Sequence, residues 1–232
     1  MKYSELVNLY GELSKTTKKL EKTKIIADFL PQFKGKEEYV YLLRGRVFPD
    51  YDVREFGVST QLIIKAIAKA TGISANEVND HFKKIGDLGD IAFNLLSKNK
   101  QHSLFSSSLT VSHVFSTLRS LNEITGDKTV EKKVSLISEL LISASPLEPR
   151  YLIRTLLSDL RVGVADAIIL DAIVLAFFPE DKDIAQKVKN AYDLLTDFAL
   201  ILKYASNGKD GFEHVRLVPG RALNVMLAVK AS

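Results

Sequence analysis

The 232-residue sequence predicts an all-α fold: a single domain of about eleven or twelve helices, followed by a short irregular C-terminal tail. Three observations carry that expectation. Apolar residues recur at three- and four-residue spacing almost throughout, and strict alternation is scarce. Many of the apolar runs open on Ser, Thr or Asp, the side chains that cap helix starts. Only six prolines and twelve glycines punctuate the chain, and two of the prolines, Pro146 and Pro149, bracket a connection between helices.

Taken in order, the periodicity places helices over 3–13, 16–30, 36–43, 59–71, 74–84, 88–97, 110–124, 129–143, 148–161, 164–178 and 183–205. Ser59 and Thr60 precede Leu62–Ile63–Ile64, Ser74 precedes Val78, and Thr110 precedes Val114–Phe115. Gly72 and Gly126 follow helix-ending threonines and read as C-terminal stops. From Ser206 the text changes to "SNGKDGFEHVRLVPGRALNVMLAVKAS", with three glycines, a proline and a brief alternation from His214 to Val218. The division expected is therefore a helical domain over 1–206 and a linker over 207–232 toward a further domain.

Composition narrows the chemistry. With 46% hydrophobic residues the chain has enough apolar surface for a sizeable core. Cysteine is absent, which excludes disulfides and thiolate zinc sites, and four scattered histidines make a histidine metal site unexpected. No apolar run reaches the roughly 20 residues that span a bilayer, and the first residues lack a signal-peptide core. The expected setting is cytoplasmic and nucleoid-associated, with no membrane partner. The net charge of +4 permits a polyanionic partner without demanding one.

Two corners attract attention. "YLIRTLLSDLRVGVADA" (151–167) sets Arg154 and Arg161 on a leucine-rich helix that breaks at Gly163 and resumes at once. On a helical wheel Arg150, Arg154 and Arg161 fall within roughly 40° of one another, opposite the leucines. The next helix starts beside them, so its free N–H groups at Val164 and Ala165, its dipole and Arg161 would suit a phosphate. An ordinary turn with a solvated arginine stripe explains the same residues. "KKIGDLGDIA" (83–92) is the second corner: Gly86 and Gly89 flank Asp87, and a Gly C-cap followed by an Asp N-cap accounts for it without a ligand. Together with Ser59–Thr60, these corners form a set of helix starts able to follow a phosphate backbone. Arg44 and Arg46 in "LLRGRVFPDYD" suit a helix C-terminus and stay open between the two readings. "GKDGF" (208–212) only approaches the nucleotide-attacking K-x-D-G: Lys209 is one residue too close to Asp210–Gly211, and a turn explains it better.

The sequence resembles the N-terminal DNA-binding domain of archaeal and eukaryotic-type ATP-dependent DNA ligases. "YLIRTLLSDLRVGVADA" matches an A-R-x-L-x-x-x-L-R-x-G-x-A pattern, and "KKIGDLGDIA" a second motif. "GVSTQLIIKAIAKATG", "LTVSHVFSTLRSLNEITG" and "VPGRALNVMLA" follow in family order, and "LRGRVFPDYDVREFGVS" looks particularly archaeal. The resemblance implies an all-helical domain that grips the minor groove on both sides of a nick through helix N-termini and loop amides, during replication, repair and recombination. Arg161, Gly163, Val164 and Ala165 would meet phosphates and sugars, with Arg154, Gly86, Asp87, Gly89, Ser59 and Thr60 as further contacts.

It also implies a parent enzyme that uses ATP and Mg2+, with no cofactor held by this chain and its catalytic domains elsewhere in the same polypeptide. "VPGRALNVMLA" resembles the entrance to the adenylation domain, with Ala222 and Asn224 where prolines often stand, and the attacking lysine follows later in the family. The chain alone is therefore expected to be inactive. "KNKQHSLFSSS" (98–108) resembles the peptide by which archaeal ligases dock on the sliding clamp (PCNA). Of its clamp-binding residues Gln101, Ser103, Leu104 and Phe105, Gln101 would hydrogen-bond at the rim and Leu104 and Phe105 would fill an apolar pocket, although Ser107 and Ser108 replace the usual aromatic pair; a loop whose Leu and Phe fold back onto the core explains the same residues. The rival expectations are a helical protein–protein adaptor with no nucleic-acid role, and an enzyme centred on Lys209.

Overall fold

A computed structural model describes residues 1–99, 108–181, 183–213 and 215–220. Among them are eleven α-helices and three 3-10 segments, and no strand beyond one isolated bridge between Lys2 and Thr110. The all-α expectation holds. The chain divides into two compact units, the first comprising Met1–Lys15, Gly45–Val47 and Arg54–Gly163 and the second Thr16–Arg44, Phe48–Val53 and the described residues from Val164.

The first unit holds α1 (Tyr3–Lys15), α3 (Thr60–Thr71), α4 (Ala75–Ile85), α5 (Leu88–Asn99), α6 (Val111–Glu123), α7 (Thr129–Ser143) and α8 (Glu148–Leu156). Here α3 packs along α7 and α5 along α8, while α1 lies against α6 and α8. Tyr3, Leu6, Tyr10 and Leu13 of α1 are fully buried, and the Tyr10 ring meets Tyr151 of α8 at 5.1 Å. Two buried polar side chains of α7 are tied to backbone elsewhere in this unit. The hydroxyl of Ser138 donates to Ala66 O at 3.0 Å, joining α7 to α3. The ammonium of Lys133, on the apolar stripe of α7, donates to the carbonyls of Phe56 and Gly57 at 2.8 and 3.1 Å and so fixes the segment that leads into α3.

The second unit holds α2 (Lys19–Phe29), α9 (Asp166–Phe177), α10 (Ile184–Leu195) and α11 (Phe198–Ser206), with 3-10 segments at Leu30–Phe33, Glu37–Arg44 and Lys209–Phe212. α2 packs on α9, and α11 packs on α9, α10 and the Glu37–Arg44 segment. The Arg44 guanidinium pairs with Asp50 at 2.5 Å and with Asp166 at 3.1 Å, and the Tyr192 hydroxyl donates to Asp50 at 2.7 Å. These pairs give Arg44 a structural role within the unit.

Four expected helices differ. The stretch 36–43 forms a 3-10 run rather than an α-helix. The helix expected over 16–30 starts at Lys19 and ends at Phe29. The helix expected over 148–161 ends at Leu156, because Ser158 turns left-handed (φ 55°) and a Schellman closure forms: Ser158 N–H donates to Thr155 O and Asp159 N–H to Arg154 O. The helix expected over 183–205 breaks in two. Thr196 is left-handed (φ 46°), and the buried Asp197 caps α11 by accepting from the N–H groups of Ala199 and Leu200. Gly126 is left-handed but does not close α6, which ends three residues earlier at Glu123.

Candidate nucleic-acid interface

The candidate residues fall on three helix starts and one charged cluster. Ser59 is the N-cap of α3, its hydroxyl accepting from Leu62 N–H at 3.2 Å, and Thr60 opens the helix. Gly86 closes α4 in the left-handed conformation (φ 74°), and Asp87 then caps α5, its Oδ1 accepting from Asp90 N–H at 3.0 Å. The α9 start differs: Ala165 is its N-cap, and no side chain caps the first turn. Val164, Ala165 and α9 belong to the second unit, whereas Arg161 and Gly163 (φ 62°) belong to the first.

The charged cluster lies wholly in the first unit, where α5 meets α8. Asp87 is only 6% exposed. Its Oδ2 accepts from Arg154 Nη2 at 2.8 Å, from Arg154 Nε at 3.2 Å and from Arg161 Nη1 at 2.7 Å. Arg154 Nη2 also reaches Asp90 Oδ1 at 3.2 Å, and Arg150 Nε stands 2.7 Å from the same oxygen with its guanidinium over the Phe93 ring. The Arg161 Nε donates to Asp159 Oδ2 at 2.7 Å. Three arginines thus face three carboxylates. Burial pushes the Asp87 carboxyl up, but the Arg154 hydrogen bonds, the Asp90 N–H and the Arg154 and Arg161 charges outweigh it, and the net shift is below the usual carboxylate range. The Asp159 hydrogen bond raises the Arg161 guanidinium further.

Arg161 does not share a helix with Arg150 and Arg154, as the wheel required, because α8 stops at Leu156. It reaches the same cluster from the following turn instead, with left-handed backbone (φ 58°). Leu160 and Val162, on either side of it, are buried, and its own side chain is 47% exposed. Arg154 is the more enclosed partner, its side chain 14% exposed. Gly89 has a packing reason: a Cβ there would meet Arg150 O at 2.7 Å and Arg154 Cγ at 3.0 Å, so α5 and α8 approach this closely only over a glycine. Asp90, Asp159 and Lys133 were not singled out from the sequence. The spacing of Asp87 and Asp90 on one helix face was the available signal for the first, and the place of Lys133 on an apolar stripe the signal for the last. Gln101, Ser103, Leu104 and Phe105 lie outside the described residues.

No group of three or more His, Cys, Asp or Glu placed to hold a metal ion occurs among the described residues. Lys209 forms an ion pair with Asp181 within the second unit. No helix among the described residues is long and apolar enough to cross a membrane.

Fold and cluster together define, among the described residues, an all-helical module in which Arg150, Arg154 and Arg161 are anchored by carboxylates. By comparison with known proteins, the chain belongs to the DNA ligase N terminus family, matching it over residues 2–174. It is 40% identical to a DNA ligase of Thermococcus onnurineus over all of its own length, and 41% identical to one of Methanothermobacter thermautotrophicus over 99% of it. A DNA ligase of Nanoarchaeum equitans is 36% identical over the whole chain. The chain spans about 41% of the length of the first two relatives and 40% of the third.

Proposed function

We propose that this chain is the DNA-binding part of an ATP-dependent DNA ligase and holds nicked duplex DNA while the catalytic domains of the same parent seal it. The observation that carries the reading is the family match over 2–174, together with similarity to DNA ligases along the whole chain. The site supports it in physical terms. The α9 start has no side-chain cap, so its first N–H groups and dipole are available to an anion at Val164 and Ala165. In the first unit, taken by itself, Arg161 is a half-exposed cation and Gly163 has left-handed backbone (φ 62°). The starts at Ser59–Thr60 and at Gly86–Gly89 supply further positive dipole ends, and Arg154 contributes by holding the second of them.

Contacts of this kind read phosphate and groove shape rather than base edges, which suits an enzyme that must act at any nick. ATP and Mg2+ serve the parent enzyme, and this chain is not adenylated on its own, since Lys209 does not stand at the K-x-D-G spacing. The Gln101–Phe105 segment docks the parent on the sliding clamp, a role resting on its sequence alone; pull-down by the clamp should be lost in Leu104→Ala/Phe105→Ala and kept in the parent sequence.

The test of DNA binding is fluorescence anisotropy of the chain with labelled nicked and intact duplexes at two salt concentrations. Preference for the nick and weakening with salt are expected. Equal, salt-independent affinity for the two duplexes, or none for either, would reject the reading.

A further inference from the structure

An exposed arginine normally samples many rotamers, so a phosphate that binds it must first order it. Arg161 is built otherwise. Its backbone is fixed in the left-handed region between two buried side chains, Leu160 and Val162. Its Nε donates to Asp159 and its Nη1 to Asp87, while Nη2 donates to neither. Asp87 is itself immobile: one oxygen caps α5, and the other is held by Arg154. The guanidinium is therefore clamped at two nitrogens, with the third left for a ligand on a side chain about half exposed.

Resting on the DNA-binding reading, we infer that Asp87 and Asp159 are positioning residues for Arg161, which they hold so that Nη2 meets one phosphate oxygen, and that Asp87 itself does not touch DNA. A buried carboxylate whose two oxygens are already saturated by N–H donors has nothing to offer a phosphate except repulsion. What it offers Arg161 is a fixed plane, and a planar fork already oriented loses less freedom per hydrogen bond formed. The arrangement also limits the field of the cluster. Because Asp87, Asp90 and Asp159 balance Arg150, Arg154 and Arg161, the cluster should count as about one phosphate contact in the salt dependence, not three.

The inference makes acidic residues favour binding to an acidic partner, which separates it from a competitor role in which the carboxylates shield Arg161. The experiment is anisotropy of the whole chain with a fluorescein-labelled nicked duplex, comparing wild type with Asp159→Asn, Asp87→Asn, Arg161→Gln and Arg161→Lys at two salt concentrations. Asp159→Asn is an exposed, conservative change and should leave the thermal melt in place. Each Asn variant is expected to weaken binding by about three- to tenfold although it makes the chain more positive. Arg161→Lys, which keeps charge but not the fork, should bind nearly as poorly as Arg161→Gln, and Arg161→Gln should reduce the salt slope by about one. In the free chain, 15N NMR should show an Arg161 Nε–H protected from exchange in wild type and less protected in Asp159→Asn, where a neutral amide oxygen replaces the carboxylate.

Binding by Asp159→Asn equal to or tighter than wild type would overturn the inference, as would an Arg161 Nε–H that exchanges freely in wild type. Wild-type affinity in Arg161→Gln overturns it too, by removing the contact itself. Failure of the wild-type chain to bind any nicked duplex is a distinct result: it brings down the DNA-binding reading, and the inference with it.

Discussion

At Gly89 a single hydrogen in place of a methyl group decides how closely two helices approach. Ala there would press its Cβ against Arg150 O, a backbone atom that cannot swing away. Gly89→Ala is expected to lose about 2 kcal/mol of stability by overpacking, read as a lower urea midpoint with an unchanged slope. Asp87 makes a second prediction at this scale, with a definite sign. Its folded carboxyl lies below the ordinary value, so its contribution is present in full above the unfolded value of about 3.9 and is lost as pH falls through the folded value. Asp87→Asn keeps a side-chain oxygen to cap α5 but gives up the charge-assisted bonds to Arg154 and Arg161. It should lose about 2 kcal/mol at neutral pH, and the gap to wild type should shrink below about pH 4. Thermal melts of the two proteins from pH 7 to pH 3 measure this; a gap independent of pH would mean the Asp87 charge does not contribute.

Helix ends show why spacing alone was an incomplete guide. Leu152, Leu156 and Leu160 keep a perfect four-residue period, and all three are buried, yet α8 ends at Leu156. The closing residue is Ser158, not glycine, so no punctuation announces the end. Leu160 is buried from the following turn, its Cβ within 3.3 Å of the position a Cβ would take on Gly45. Ser158→Gly should relieve left-handed strain of about 1–2 kcal/mol and lose part of it to chain entropy, for a net gain of about 0.5 kcal/mol seen as a higher melting temperature. The α10–α11 break has the opposite character. Asp197 is a good capping residue in the sequence, but it follows a β-branched Thr in the left-handed region, and the apolar period runs through it as if through helix interior. Asp197 also accepts from the Tyr41 hydroxyl at 2.6 Å, and burial followed by the Asp197 charge pushes that phenol well above its ordinary pKa. Asp197→Ala removes a cap and orphans a buried hydroxyl, and should cost about 3 kcal/mol in chemical denaturation. Asp197→Asn, whose single amide oxygen can still accept from the Ala199 and Leu200 N–H groups and the Tyr41 hydroxyl, should recover most of that.

Over the whole molecule a net charge of +4 is small for the DNA-binding role proposed above. Under that proposal, attraction would come from where charge is placed, at helix starts and at Arg161, rather than from a basic surface at large. Such contacts carry no base code. Nicked duplexes of different flanking sequence should bind within about threefold of one another, well short of the roughly 1–3 kcal/mol per base pair that a base-reading protein shows. Equilibrium titration across a set of flanks measures it, and a tenfold spread would imply readout by side chains not placed at a helix start.

What the sequence by itself determined is the helical class, the positions of most helix starts and the family. Those rest on local rules, since a cap, an apolar period and a motif are each written within about fifteen neighbouring residues. The Ser59, Ser74 and Thr110 caps all formed as read. Only the tertiary structure decided what the arginines do. Arg154 and Arg161 lie 67 and 74 residues from Asp87, and no local pattern pairs them. The pairing follows from packing α5 against α8, which buries a carboxylate and leaves it no solvent to satisfy it except the guanidinium groups of the opposite helix and its following turn. An arginine stripe in the sequence thereby becomes, in the folded chain, one anchored and half-exposed cation.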